Sequence, residues 1–177
     1  HDPHVRDVNI LVRPHPYNCH AWNPDPVADL PAVTFFPRHR YNPIDPDNRA
    51  DFFDSIYHSA GVVGINTSAM IEAAIIGRPV FSLLANEFAD TQEGSVHFHH
   101  LLPENGGCLR MAATLDEHVG QLSQRLGDPE GALVEIERFI ASFIRPHGVD
   151  RRATPIFADT IERLAVSPRP QPQTTPG

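Results

Sequence analysis

The segment GVVGINTSAMIEAAIIGRPVFSLL, residues Gly61 to Leu84, carries the most regular pattern in the chain. It consists of an apolar run, a short polar turn, a stretch rich in Ala and Ile, a Gly-Arg-Pro turn and a second apolar run. Short apolar runs are typical of strands buried on both faces, and the stretch between them has the length of a helix. The segment therefore predicts a strand at Gly61–Ile65, a helix at Thr67–Ile76 and a strand at Val80–Leu84.

Similar patterns lie on both sides of this segment. Apolar runs at Val8–Arg13, Ala32–Pro37 and Cys108–Ala112 predict three further strands. Helical patterns cover residues 48–61, 114–126, 130–144 and 154–165. Because strands and helices alternate, the sequence predicts an α/β fold in which a parallel sheet is covered by helices on both faces.

Side chains that cap helices mark the start of three of these helices. Asp47 or Asn48 is the expected N-cap of the first helix, and Thr154 that of the last. Thr114 and Glu117 have the spacing of a capping box, in which each side chain bonds a backbone N–H of the other's turn. These caps predict where the helices begin.

The composition is that of an ordinary globular protein with an acidic surface. The chain has 177 residues, of which 41% are hydrophobic and 20% charged, and this length suits one domain. Its formal net charge is −8. A nucleic-acid partner is not expected, because proteins that bind the phosphate backbone concentrate Lys and Arg.

The cysteines and the hydropathy bear on the compartment. Cys19 and Cys108 have no metal-like spacing, so free thiols in a reducing compartment are favoured, with a disulfide left open. No apolar run approaches the roughly 20 residues of a transmembrane helix. We therefore expect no transmembrane segment and a cytoplasmic protein, with peripheral contact to the inner membrane face as an alternative.

The polar turn Asn66-Thr67-Ser68, where a strand ends and a helix begins, allows two interpretations. In the first, Asn66 or Thr67 only caps the helix. In the second, free backbone N–H groups and the positive end of the helix dipole bind a phosphate, helped by the two hydroxyls. Glu72 favours the second, since a carboxylate one turn further on can accept hydrogen bonds from ribose hydroxyls. A solvent-facing Glu72, or one paired with Arg78, is the alternative.

The stretch NTSAMIEAAIIGRPVFSLL resembles the donor-binding motif in the C-terminal half of two-domain, GT-B type glycosyltransferases. In that motif small or hydroxyl residues begin a helix, Glu-Ala lies within it, and Gly-x-Pro-Val leads into a strand. RPHP, Arg13–Pro16, resembles the His-Pro element at a strand end of the same superfamily. Similar segments occur in polyol-phosphate transferases of the CDP-glycerol type and in UDP-sugar 2-epimerases. The resemblance runs from about Val8 to Leu126 and implies a Rossmann-like nucleotide-sugar-binding domain.

The resemblance also implies roles for single residues. Thr67 and Ser68, with Asn66 in the same turn, would hold the donor diphosphate at the helix N-terminus, and Glu72 would bind the ribose. His15 would lie near the phosphates or the sugar and is the one candidate for a catalytic role. Its alternative is an exposed turn histidine. The ligand is a nucleoside-diphosphate sugar, and no metal or cofactor is implied.

The polar segment EFADTQEGSVHFHHL, residues 87–101, follows the strand at Val80–Leu84 and can fold back over the same cleft. Its candidates for contacts to the sugar or phosphate are Gln92, Glu93, Gly94 and Ser95. His97 and His99 would share one face if the segment is extended. His97 joins the candidate site, with surface or packing histidines as the alternative. The spacing offers no third or fourth metal ligand, so no metal is expected.

Several parts of such an enzyme have no counterpart in this sequence. In the superfamily the acceptor site, and usually the catalytic base, belong to an N-terminal domain, and the C-terminal domain begins with a strand and a glycine-rich loop. The chain begins HDPHVRDVNILV without an initiator Met. We therefore expect a fragment with one domain at 1–165, a sheet without its middle strand, and a disordered Pro-rich tail at 166–177.

The leading hypothesis is the donor-binding half of a glycosyltransferase that acts on a surface-carbohydrate acceptor. This chain alone is expected to be inactive. The alternatives are a UDP-sugar 2-epimerase or polyol-phosphate transferase domain, and a non-catalytic nucleotide-binding or interaction module.

Overall fold

The computed structural model describes residues 2–3, 5–15, 25–27, 29–37, 44–92, 94–128, 130–131 and 133–166. Cys19, Glu93 and residues 167–177, on which predictions were made, lie outside these ranges. Within them the chain is a mixed α/β protein with five strands and six α-helices. The α/β class predicted from the alternating pattern is therefore confirmed.

The strands are short, and the helices contain most of the regular structure. The strands are β1 (Ile10–Val12), β2 (Val33–Phe35), β3 (Val62–Val63), β4 (Val80–Leu83) and β5 (Leu109–Ala112). The helices are α1 (Pro46–Tyr57), α2 (Ala69–Ile76), α3 (Val96–His99), α4 (Leu115–Gly127), α5 (Leu133–Phe139), which a π-helical turn at Ile140–Ile144 continues, and α6 (Ala153–Val166). All the predicted elements occur, and α3 is additional.

The strands form two parallel sheets instead of one continuous sheet. β1 pairs with β2, and β3, β4 and β5 form the second sheet in that order. Val80 of β4 lies opposite Val62 on one side and Leu109 on the other. In the described ranges no ladder joins β1 to β3.

The break leaves β1 and β3 each with one unpaired edge. Ile10 of β1 and Val63 of β3 each remain 53% exposed. A strand inside a parallel sheet normally buries such side chains on both faces. In the described ranges Ile10 and Val63 are therefore not covered in this way.

The second sheet has packing on both faces. Successive residues of a strand point to opposite faces, so Val80 and Phe81 of β4 contact different layers. Val80 belongs to the main core, which also contains Ile56 of α1, Met70 of α2 and Phe98 of α3. The ring of Phe81 instead meets His118 of α4 edge-on, with ring centroids 6.2 Å apart. This sheet therefore has helices on both faces, as predicted.

The start of α4 confirms the predicted capping box. Thr114 Oγ1 accepts the backbone N–H of Glu117 at 3.2 Å. The Glu117 carboxylate reaches back and accepts the N–H of Ala113 at 2.8 Å. The first bond satisfies a donor of the first helical turn, and the second falls on Ala113, one residue before the N-cap Thr114.

The other two predicted caps are wrong. The cap of α1 is Asp45, whose carboxylate accepts the N–H of Asn48 at 2.9 Å, because Pro46 fills the first helical position. Asp47 and Asn48 therefore lie inside the helix. α6 begins one residue before Thr154, so Thr154 is a helical residue as well.

α6 is the most exposed helix. It has no buried residue, and Phe157, Ile161 and Leu164 expose large apolar side chains. Val166, which was expected to begin the tail, is its last residue. Across the described ranges, no helix combines the length and the apolar character needed to cross a membrane.

Candidate functional site

The turn before α2 is only weakly capped. Ser68 stands at the N-cap position, but its side chain makes no capping bond. Thr67 Oγ1 lies 3.4 Å from the N–H of Ala69, which is long for a hydrogen bond. In the part of the chain that the structure describes, the N–H groups of Thr67 and Ser68 have no acceptor. Two backbone donors and a hydroxyl are therefore available at the positive end of a helix.

Asn66 connects this turn to the segment that follows β4. We call this segment, from residue 85 to residue 99, the returning segment. Its Nδ2 donates to the carbonyl of Thr91 and lies 3.2 Å from Ser95 Oγ. His97 Nε2 lies 3.0 Å from Asn66 Nδ2 and 3.2 Å from Asn66 Oδ1. The structure thus brings Asn66, Ser95 and His97 together, although up to 31 positions separate them in the sequence. With Thr67 and Ser68 these three residues form what we call the turn–loop site.

The two histidines do not share a face, because residues 96–99 form the short helix α3. Side chains two positions apart on a helix point in directions that differ by roughly 200°. His97 reaches Asn66, and His99 therefore points elsewhere. The shared face that an extended segment would give is therefore not formed. No group of three or more His, Cys, Asp or Glu residues within the described ranges could hold a metal ion.

Gln92, expected to contact a ligand, is instead buried under the turn. None of its surface is exposed. Its Nε2 lies 3.1 Å from the carbonyl oxygens of Ile65 and Leu83 and from Ser82 Oγ. Its Oε1 accepts the N–H of Ala85 at 3.3 Å. The amide is therefore used internally. The only sequence sign of this cluster is Ser82, a hydroxyl residue in the apolar run VFSLL.

Gly94 also has a structural role. Its N–H donates to the carbonyl of Ala89 at 3.0 Å and is not free for a ligand. A Cβ at this position would lie 2.6 Å from the carbonyl oxygen of Asp90, a distance that real Cβ atoms do not reach. The expected contact from Gly94 to a sugar or phosphate is therefore replaced by a close approach of two backbone segments.

Glu72 is exposed on α2, one turn beyond Ser68. Partial desolvation raises the pKa of its carboxyl group. Arg78, the alternative partner, lies instead over the ring of Tyr57 at 5.3 Å from the ring centroid and donates to that residue's carbonyl. Among the described residues Glu72 has no ion-pair or hydrogen-bond partner. Its carboxylate therefore remains available to a ligand.

The RPHP element begins next to the other sheet, immediately after β1. His15 is exposed there. Arg13 joins β1 to α1, because its Nη1 donates to Ser55 Oγ at 2.7 Å. Its guanidinium also lies 5.4 Å and 5.5 Å from the ring centroids of Phe36 and Phe52, and burial lowers its pKa. Arg13 is thus a structural residue that the sequence pattern did not reveal.

The turn–loop site is suited to binding an anion that carries hydroxyl groups. The free backbone N–H groups of Thr67 and Ser68 lie at the start of α2, where the helix dipole favours negative charge, and the amide of Asn66 holds the imidazole of His97 beside this turn. Glu72 adds a hydrogen-bond acceptor one turn away. This set of groups can orient a phosphate and a polyol.

Comparison with known proteins adds no relative to this geometry. No protein-family model matches the chain, and neither a curated protein nor a solved structure does.

Proposed function

We propose that the turn–loop site binds the diphosphate of a nucleoside-diphosphate sugar, and that the chain is the Rossmann-like, donor-binding half of a GT-B type glycosyltransferase. The observation that carries the proposal is the contact of Asn66 with Ser95 and His97 beside the uncapped start of α2. Ligands of parallel α/β sheets bind outside the carboxyl ends of the strands, which is where this contact lies.

Each group has a chemical role in this proposal. The N–H groups of Thr67 and Ser68 donate to the phosphate oxygens, with the helix dipole behind them. Glu72 accepts hydrogen bonds from the ribose hydroxyls, and His97 adds an imidazole donor. When the glycosyl group leaves, negative charge develops on the diphosphate, and preorganised donors stabilise it without a metal. The acceptor site and the base belong to an N-terminal partner domain.

The resemblance also covers UDP-sugar 2-epimerases and polyol-phosphate transferases, and a non-catalytic module would keep the same nucleotide contacts. No group of the turn–loop site favours any of these three over the glycosyltransferase. If the chain binds no nucleotide, the glycosyltransferase and these three alternatives are all excluded.

A thermal-shift panel with UDP, GDP, CDP, ADP and their monophosphates tests the proposal. A ligand at 100 times its dissociation constant stabilises the folded state by about 2.7 kcal/mol. For a chain of this size that corresponds to a rise in Tm of roughly 5–11 °C. We expect one diphosphate to give a shift of this order.

Three variants identify the site. Glu72→Ala, and the double change Thr67→Ala/Ser68→Ala, should each reduce the shift while leaving the Tm of the free protein nearly unchanged, since none of these residues is buried. Glu162→Gln, on exposed α6, is the matched control and should keep the full shift. No shift with any diphosphate from a folded wild-type sample would reject the proposal.

A further inference from the structure

We infer that Gln92 is a positioning residue: its buried amide holds the residues on either side of it, 85–91 and 94–99, against the turn at Ile65 and thereby sets the contact between Asn66 and His97. The functional meaning of this inference rests on the proposed function. The arrangement itself can be tested without any ligand.

The amide of Gln92 joins its own segment to two other stretches of chain, one at Ile65 and one at residues 82–85. Its Nε2 bonds Ile65 after β3 and Leu83 at the end of β4, and its Oε1 bonds Ala85 at the start of the returning segment. Ser82 Oγ lies between them, 3.1 Å from both Gln92 Nε2 and the carbonyl oxygen of Ile65. If the amide is removed, its partner groups at Ile65, Leu83 and Ala85 lose these hydrogen bonds inside the protein, which is energetically unfavourable.

This cluster is directly connected to the turn–loop site. Ile65 precedes Asn66 in the chain, and Thr91, whose carbonyl accepts from Asn66, precedes Gln92. The carbonyl of Gln92 accepts the backbone N–H of Ser95 at 3.0 Å. A movement of Gln92 would therefore displace both sides of the contact between the turn and the returning segment.

A different anchor holds the far end of the segment. Phe98, in the middle of α3, has no exposed surface and belongs to the hydrophobic core. Loss of the Gln92 amide should therefore leave α3 docked through Phe98, while the preceding residues lose their fixed position. A variant of Gln92 can therefore lose the fixed position of these residues without unfolding the protein.

The test compares Gln92→Met, which keeps the length of the side chain and removes its hydrogen bonds, with Asn66→Ala. The ring signals of His97, assigned by NMR with a His97→Gln variant, report the contact to Asn66. We expect the His97 signals of Gln92→Met to move towards those of Asn66→Ala. Thr114→Ala, which removes the cap of α4, controls for general destabilisation and should leave them unchanged.

The second readout is affinity for the diphosphate selected by the thermal-shift panel, measured by calorimetry. Gln92→Met should weaken binding about tenfold, the effect of losing one hydrogen bond to the ligand. The double variant with Asn66→Ala should be no weaker than the weaker single variant, because residues that act through one another are not additive.

Unchanged His97 signals in Gln92→Met would overturn the inference, as would additive losses of affinity. If Gln92→Met does not fold, Ser82→Ala removes one partner of the amide and should shift the same signals by a smaller amount. Unshifted signals in a folded Ser82→Ala would again overturn it. If wild-type protein binds none of the diphosphates, the proposed function fails, and the His97 signals alone decide the inference.

Discussion

Replacing Gly107 by alanine should destabilise the protein, whereas the same replacement at Gly120 should stabilise it. A Cβ at Gly107 would lie 2.0 Å from the carbonyl carbon and oxygen of Leu101. Favourable contacts between carbon atoms begin at about 3.5 Å, so the backbone at residue 107 or at Leu101 must move by roughly 1.5 Å. The Leu101 carbonyl is fixed, because it accepts the N–H of Leu109 at 2.9 Å at the start of β5.

The magnitude follows from these contacts. Overpacking of this kind costs about 1–3 kcal/mol, and loss of the Leu101–Leu109 hydrogen bond adds about 1 kcal/mol. Gly120 is an exposed residue of α4, and a Cβ added there would meet no atom within 4 Å. Alanine at this position should gain about 0.8–1.0 kcal/mol of helix propensity.

Urea unfolding followed by circular dichroism measures both changes, and we expect a difference of roughly 3–5 kcal/mol between the two variants. If Gly107→Ala has the same free energy of unfolding as the wild type, and the same slope of that energy against urea concentration, the close packing of Gly107 against Leu101 is refuted.

Three further predictions concern buried or capping groups. Burial raises the pKa of Cys108 to about 11. In a Cys19→Ser background its thiol should therefore react slowly with iodoacetamide near neutral pH, and equal reaction rates with and without denaturing urea would contradict this. Burial beside Phe81 lowers the pKa of His118, so the unfolded chain takes up the proton first and the free energy of unfolding should fall as pH drops below about 6.5. His118→Leu should flatten this dependence in urea titrations, and parallel profiles would argue against it. Thr114→Ala should lower the free energy of unfolding by about 1 kcal/mol and Thr114→Ser by much less, so equal urea midpoints for the two would show that the cap does not stabilise α4.

The elements of the fold were predictable because short-range chemistry determines them. Periodicity located the five strands and most helices, and the spacing of Thr114 and Glu117 identified a capping box. The position of the turn at Asn66 followed from the strand that ends before it and the helix that begins after it. A general rule for parallel sheets then placed the turn beside the segment after β4.

Long-range packing accounts for the predictions that were wrong or incomplete. The short helix α3 was not predicted, and the shared face of His97 and His99 that an extended segment would give does not form, because Phe98 enters the core and the segment forms a helical turn. The break between β1 and β3 was also beyond local pattern, because an apolar run predicts a strand but not which strands lie beside it.

The roles of the candidate site residues show a more general limit. Gln92 and Asn66 have similar polar chemistry, and the sequence placed both in the ligand site. Gln92 is buried and bonds carbonyls of the two strand ends, whereas Asn66 bonds the carbonyl of Thr91 and contacts His97. Every residue has a backbone carbonyl, so no residue pattern marks which carbonyls will accept these bonds. The distinction between the buried amide of Gln92 and the amide of Asn66 at the turn therefore arises only from the path of the chain. A substitution at Gln92 must therefore be judged by its effect on His97, since the backbone carbonyls that it releases cannot themselves be removed by substitution.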